Sequence, residues 1–241
     1  MKRRNYLMAL FMLTIGTANA SNFVTIKGEN LMDANGKKLY IVGTNLGNWL
    51  NPEGYMFDFK KTNCEWMIND MVCELAGPDF AREDYMGKND ETEGFKQMDK
   101  VIDWCRKYDL HLILDMHDCP GGQTGDNIDN GHGYPWLFES EASQQLFCQI
   151  WQKIASRYKD EPVILGYELM NEPIATMFSD SLRAALNAKL EPLYKRATKA
   201  IREVDLNHII LLGGAQWNGN FEPFSDWKFD DKIMYTCTWA R

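Results

Sequence analysis

Positive charge is scarce in this chain of 241 residues: 26 Lys and Arg stand against 34 Asp and Glu, a formal charge of −8. Three of those cations, Lys2, Arg3 and Arg4, fall in the first twenty residues, which hold no acid, so removing that stretch takes −8 to −11. A surface so acidic repels nucleic acid and anionic membranes. Long apolar runs are also lacking. Leu7 to Ile15 spans nine residues, against the ~20 that a membrane-crossing helix needs. There are no internal repeats, low-complexity tracts or interdomain linker, which excludes solenoid, collagen-like and largely disordered architectures. Cys and His never fall at zinc-finger spacing. Gly121-Gly122 is not followed by Lys-Ser/Thr, so a phosphate cradle lacks its cation.

What is present is a globular composition: 45% hydrophobic and 12% aromatic, with 8 Trp. Residues 1–20 read as a secretory signal. Lys2-Arg3-Arg4 is the basic region, Leu7 to Ile15 the apolar one, and Ala18-Asn19-Ala20 a small-x-small cleavage site. Ser21 rather than Cys follows, so lipid anchoring has no support. The expectation is a secreted protein, extracellular or periplasmic, with 21–241 as one domain. It should be free of membrane after signal removal and monomeric. The six cysteines read as core thiols. Cys64 and Cys73 lie nine residues apart on one expected helix, too far along the axis to bridge.

Along the chain, Phe23 to Lys27 and Lys38 to Val42 flank the turn Asp33-Ala34-Asn35-Gly36 and predict a hairpin leading into a first core strand, Leu39 to Gly43. Helical periodicity marks 63–75, 95–108 and 142–158, and a long helix from 186 to 204 interrupted near Pro192. Apolar strands are expected at 110–115, 162–169, 208–213 and 232–237. Apolar strands alternating with amphipathic helices define a parallel α/β fold. In such folds function collects at the C-terminal strand ends. The polar and glycine clusters fall there: Asn45 to Trp49, His117 to Gly122, Asn171-Glu172-Pro173, and Gln216-Trp217-Asn218. No strand-like run occupies Ala76 to Thr92, where a βαβα chain requires one.

The segment Gly166 to Pro173 carries the chemistry. In an extended strand Glu168, Met170 and Glu172 share a face, and Pro173 ends pairing just past Glu172, leaving its carboxylate at the rim. Apolar surroundings raise a carboxyl's pKa, as a general acid needs. Asp115-x-His117-Asp118 offers a rival reading as metal ligands, but His111, His132 and His208 supply no second pair at ligand spacing. Asp126 to Gly131 has a faint calcium-loop pattern, yet position 137 is Leu where that loop needs Glu. No metal or other cofactor is expected.

Glu168-Leu169-Met170-Asn171-Glu172-Pro173 resembles the fourth-strand motif of glycoside hydrolase family 5, the cellulase and β-glucanase family of (β/α)8 TIM barrels. Leu112 to His117 resembles its third-strand segment, and Asn45 to Leu50 is similar to the first-strand segment of its exo-glucanase-like branch. The resemblance covers about Phe23 to Cys237. It implies retaining hydrolysis of a β-linked glucan, with Glu172 as general acid/base, Asn171 on the substrate 2-hydroxyl and His117 lining the sugar site. Asn45, Trp49, Trp217 and Tyr235 are the further candidates for substrate contact. Retention needs a second carboxylate ~5–5.5 Å away.

The pattern is also broken in three places. The family's nucleophile is a glutamate at the seventh strand, and none of Glu222, Asp226, Asp230 or Asp231 ends an apolar strand. Its second-strand arginine falls in the gap, where Arg82 has no strand around it. Thr238 stands where the family places a histidine. The expectation is therefore an incomplete barrel, without its second and last two strands, of weak or no activity. The alternative is a glycan-binding protein derived from such an enzyme.

Overall fold

The computed structural model describes residues 22–47, 51–77, 91–129 and 131–237, with only the helical backbone at 91–93. Four parallel strands form the main sheet: β4 (Leu112–Asp115), β5 (Ile164–Glu168), β6 (Ile209–Gly213) and β7 (Ile233–Thr236), in the order β4-β5-β6-β7. Sequential parallel neighbours joined by crossovers are the arrangement of a (β/α) barrel wall. Before it comes a small antiparallel meander of β1 (Thr25–Lys27), β2 (Asn30–Met32) and β3 (Lys38–Leu39). The helices are α1 (Glu65–Ala76), α2 (Glu91–Lys107), α3 (Glu141–Tyr158), α4 (Asp180–Arg202) and the single turn α5 (Ala215–Asn218).

The sheet separates two apolar layers. On one face Tyr167, Ile210, Leu212 and Ile233 pack against α3 and α4 through Phe147, Trp151, Leu190, Tyr194, Ala197 and Ile201. On the other, Ile113, Leu165, Ile209, Leu211 and Met234 meet Val24, Ile26, Leu31 and Leu39 of the meander. A register shift between Leu112 and Ile113 leaves Leu165 outside the pairing with β4; such a bulge bends the strand. Helix starts follow their caps. Ser140 accepts from the Ser143 N–H and Ser179 from Leu182 N–H, satisfying donors that a helix N-terminus otherwise leaves open. At the N-terminal end of β6 a buried cluster joins strand to helix. The Tyr167 hydroxyl donates to Asp205 at 2.8 Å, and His208 Nδ1 lies 2.5 Å from the same carboxylate.

Several sequence expectations need correction. The Asp33–Gly36 turn forms, but β3 pairs with β2 rather than with the 23–27 run, because Gly28, at φ 61, turns the chain early. The first core strand does not form. Tyr40, Ile41 and Val42 are 72, 50 and 95% exposed; in a closed barrel a first strand pairs with the second and the closing strands, and neither is among the described residues. The gap at 76–92 lies mostly outside them. The helix around Pro192 is continuous from Asp180 to Arg202. Pro192 faces solvent while Leu190, Leu193 and Tyr194 are buried on either side, so packing outweighs the one lost hydrogen bond. All six cysteines are free, and Cys64, Cys105, Cys119 and Cys148 are buried. Cys64 is the N-cap of α1 rather than part of it.

Candidate active site

Strand alternation builds the site from β4, β5 and β7. Asp115, Glu168 and Thr236 end these three strands. Asp115 and Glu168 are register partners, and Thr236 Oγ1 donates to Glu168 Oε1 at 2.9 Å. They form a polar rim above the apolar layer of the same face.

His117 stands two residues past β4. Its Nδ1 lies 2.9 Å from Asp115 Oδ2 and its Nε2 3.4 Å from Glu53 Oε1. Burial opposes the imidazolium, but hydrogen bonds and charge from Asp115 and Glu53 outweigh it and lift the ring to about 10. His117 is therefore cationic at neutral pH. Glu168 moves oppositely to an ordinary acid: burial, then the charges of Asp115 and Glu172, push it up to about 7 against the pull of Thr236 and His117. The Tyr55 phenol is raised by burial and by the charge of Glu53, to which it hydrogen-bonds.

The loops that follow β4 and β5 are held together by Gln123, which is fully buried. Its Nε2 donates to the carbonyls of His117 at 2.8 Å and Asn171 at 3.0 Å, and its Oε1 accepts from Cys119 N–H at 3.0 Å. Asn171 N–H donates to Met116 O and Ile174 N–H to Gln123 O. The Asn171 amide and His117 Nε2 consequently lie 3.5 Å apart. Trp151 adds a strut from the helix layer, its indole N–H on the carbonyl of Leu169 at 3.0 Å.

The backbone at Glu172 differs from the extended strand expected from sequence. Pairing ends at Glu168, Met170 is buried in the helix-side core, and Glu172 and Ile174 have φ of 46° and 58°. The residue before a proline is normally driven towards extended conformations, so a left-handed Glu172 is strained and held by its surroundings. A second left-handed stretch follows β6, at Gln216, Trp217 and Asn218. It is pinned by paired amides of Gln216 and Asn187. It aims the Trp217 indole N–H at Thr176 Oγ1, 3.2 Å away, in the loop after Glu172.

The structure therefore brings His117 and Asn171 into contact and sets Trp217 against the loop carrying Glu172. It does not bring Tyr235 to the rim. Thr236 points to Glu168, so its neighbour must face the helix side; there Tyr235 packs on Phe224 and Trp227 at ring distances of 5.1 and 4.6 Å. Asn45 lies in an exposed segment. Trp49, Arg82 and Thr238 lie outside the described residues. The Asp126–Gly131 loop spends its key carboxylate internally: buried Asp129 accepts from the hydroxyl of Thr124 and the N–H of Gly125, both at 2.9 Å. Asp230 pairs with Arg202 at 2.9 Å ahead of β7, at the opposite strand end from Glu172, and Asp226 faces Lys195 at 3.2 Å. Sequence reasoning missed Glu53 and Gln123 as site residues. Each is a polar residue in a loop with no periodic signature.

A parallel strand wall with two carboxyls, a histidine and a strained glutamate at its C-terminal rim is the arrangement of a (β/α)-barrel fold that carries its site at the strand ends. The family model for cellulase (glycosyl hydrolase family 5) matches residues 32–237, and the chain belongs to that family. It is 32% identical over 208 residues to endoglucanase C of Acetivibrio thermocellus, covering 80% of this chain and 55% of that one. It is 26% identical over 242 residues to a beta-xylosidase of Phanerodontia chrysosporium, covering 85% and 48%. The chain thus spans about half the length of these relatives. Endoglucanase Cel5A of Thermotoga maritima shares the fold, with a TM-score of 0.51 and 24% identity over 82% of this chain and 59% of that one.

Proposed function

We propose that the protein is a retaining glycosidase acting on a β-linked glucan, with Glu172 as general acid/base. The observation that carries this is the left-handed, pre-proline Glu172, fixed beside Asn171 and His117 by the Gln123 clamp. A general acid must sit at one place relative to the scissile oxygen. His117 and Asn171 offer donors to sugar hydroxyls, and Trp217 offers a flat apolar face to a pyranose ring. We further propose that residues 1–20 direct export. Among the described residues no helix is long and apolar enough to cross a membrane.

A second reading, glycan binding without turnover, is an outcome of the same test. Hydrolysis of a soluble β-glucan and of a dinitrophenyl β-cellobioside by wild type and Glu172→Gln separates the two. Loss of a general acid should lower kcat/KM about 10²–10⁴-fold on the glucan and far less on the aryl glycoside, whose leaving group needs little protonation. That ratio reports the first step, before Glu172 is needed as base. Equal loss on both substrates, or none on either, contradicts the acid/base role. Binding without turnover of either substrate by wild type favours the second reading.

A further inference from the structure

The turn that follows β6 is strained, and it is held by a residue of α4 that acid/base chemistry does not use. Gln216, Trp217 and Asn218 are all left-handed, at φ of 51, 61 and 60°. A run of three such residues, none of them Gly and one of them Trp, is disfavoured and persists only where its surroundings dictate it. Two glycines admit the fold-back. A Cβ on Gly213 would come within 2.1 Å of Asn218 Oδ1, and one on Gly214 within 2.8 Å of the Asn220 carbonyl oxygen. The outside partner is Asn187 of α4. Its Oδ1 accepts from Gln216 Nε2 at 2.9 Å, and its Nδ2 donates to Gln216 Oε1 at 3.3 Å. Asn220 Nδ2 donates to the same Gln216 oxygen at 2.8 Å. Trp217 is tied separately, through its indole N–H to Thr176 Oγ1 at 3.2 Å. Both ties end on one stretch of chain, which runs from Glu172 through Thr176 into α4.

We propose that Asn187 is a positioning residue for substrate: by pairing with Gln216 it fixes Trp217 as a platform for one pyranose ring of a β-glucan, beside the loop that carries Glu172. This rests on the glucan reading given above. Backbone strain at the C-terminal end of a parallel strand, where function gathers in this fold, points to a shape kept for a ligand. Trp217 is only half-buried, so part of its ring stays open to one. A pyranose carries C–H groups on its faces and hydroxyls at its edge, and a flat indole takes a face. Because both ties run to the segment between Glu172 and α4, the platform and the acid/base hold a set separation. A sugar ring seated on Trp217 then places its glycosidic bond at a defined distance from Glu172, which is how a remote contact aids a reacting centre. Without the amide pair the turn is free to relax to right-handed conformations, which carry the indole out of place.

The test follows the Trp217 indole ¹⁵N–¹H resonance, assigned by its loss in Trp217→Ala, and titrates the full chain with cellotetraose. Wild type, Asn187→Ala, Trp217→Ala and the double variant are compared. Asn187→Ala should shift the indole resonance and weaken cellotetraose binding about 3–10-fold, the scale of one aromatic contact. Trp217→Ala should weaken binding at least as much. Adding Asn187→Ala to it should cost nothing more, because Asn187 acts only through the ring. An unmoved indole resonance in Asn187→Ala, or full affinity in either single variant, overturns the proposal. So does a further loss in the double variant, which is what general loosening of the fold would give. If Asn187→Ala does not fold, Gln216→Ala breaks the same pair from the other side and is read identically. The two readings fail differently. A wild type that binds no cellotetraose sinks the glucan reading and the platform with it, whereas a wild type that binds it no more tightly than Asn187→Ala sinks only this proposal.

Discussion

Replacing Gln123 by Ala should cost far more than a surface substitution, because it opens a buried polar clamp. The side chain makes three hydrogen bonds at 2.8–3.0 Å, all from a fully buried position. A buried hydrogen bond contributes about 1 kcal/mol net, and a buried polar group left without a partner costs about 1–3 kcal/mol. The Cys119 N–H loses its Gln123 acceptor, while the His117 and Asn171 carbonyls lose a shared donor. Allowing for partial relaxation and a water entering the cavity, the loss should be about 3–4 kcal/mol. Gln123→Glu has nearly the same shape and sharpens the test. An ionised carboxylate there has no proton for either carbonyl, so the folded state must hold it protonated. Its folded pKa is then raised above the unfolded value near 4.3, and stability falls as pH rises above that point. Urea unfolding followed by tryptophan fluorescence at several pH values measures both. A Gln123→Ala loss under 1 kcal/mol, or a Gln123→Glu stability that does not fall with pH, refutes the clamp.

Other outcomes follow from the same geometry. The His117 ring should titrate near pH 10 by NMR, and Asp115→Asn should lower that by roughly 1–3 pH units. Because the folded value lies above the unfolded one, the His117 contribution to stability is complete below about pH 6.5 and is lost as pH rises through 10. A wild-type ring titrating near 6.5 contradicts the paired geometry. Pro192→Ala should stabilise the protein by about 1–3 kcal/mol, since it restores an N–H within a continuous helix; a lowered melting temperature contradicts this. Tyr167→Phe removes the hydroxyl donating to buried Asp205 and should cost about 1–3 kcal/mol in the same denaturation assay; an unchanged midpoint contradicts it.

Much of the fold was legible because burial imposes a period. The apolar runs at 164–168 and 209–213 became the central strands, and the caps Ser140 and Ser179 mark helix starts that pattern alone placed within a few residues for α3 and several residues late for α4. The motifs put Asn171 and Glu172 side by side just past β5 and His117 just past β4, while the contact between His117 and Asn171, 54 positions apart, is made only by the fold. What stayed hidden depends on partners far along the chain. Gln123 meets Asn171 across 48 positions, and Glu53 meets His117 through a loop without pattern. Tyr235 was misplaced for a different reason. A strand shows which residues alternate but not which of the two sets faces inward, and that parity is fixed only by the register with β6. The first core strand failed similarly: β-prone residues at 40–42 make a strand only where a neighbour accepts their hydrogen bonds.

The C-terminal rim around Glu172 is the proposed β-glucan site. Amide and side-chain NMR shift mapping with cellotetraose tests it most directly, in wild type and in Glu172→Gln. Shifts should be confined to His117, Asn171, Glu172 and Trp217 and their immediate neighbours, and be preserved in the variant because Gln keeps the shape of the site. Absence of shifts at millimolar sugar, or shifts centred on the opposite strand end around Phe23 and His208, contradicts it.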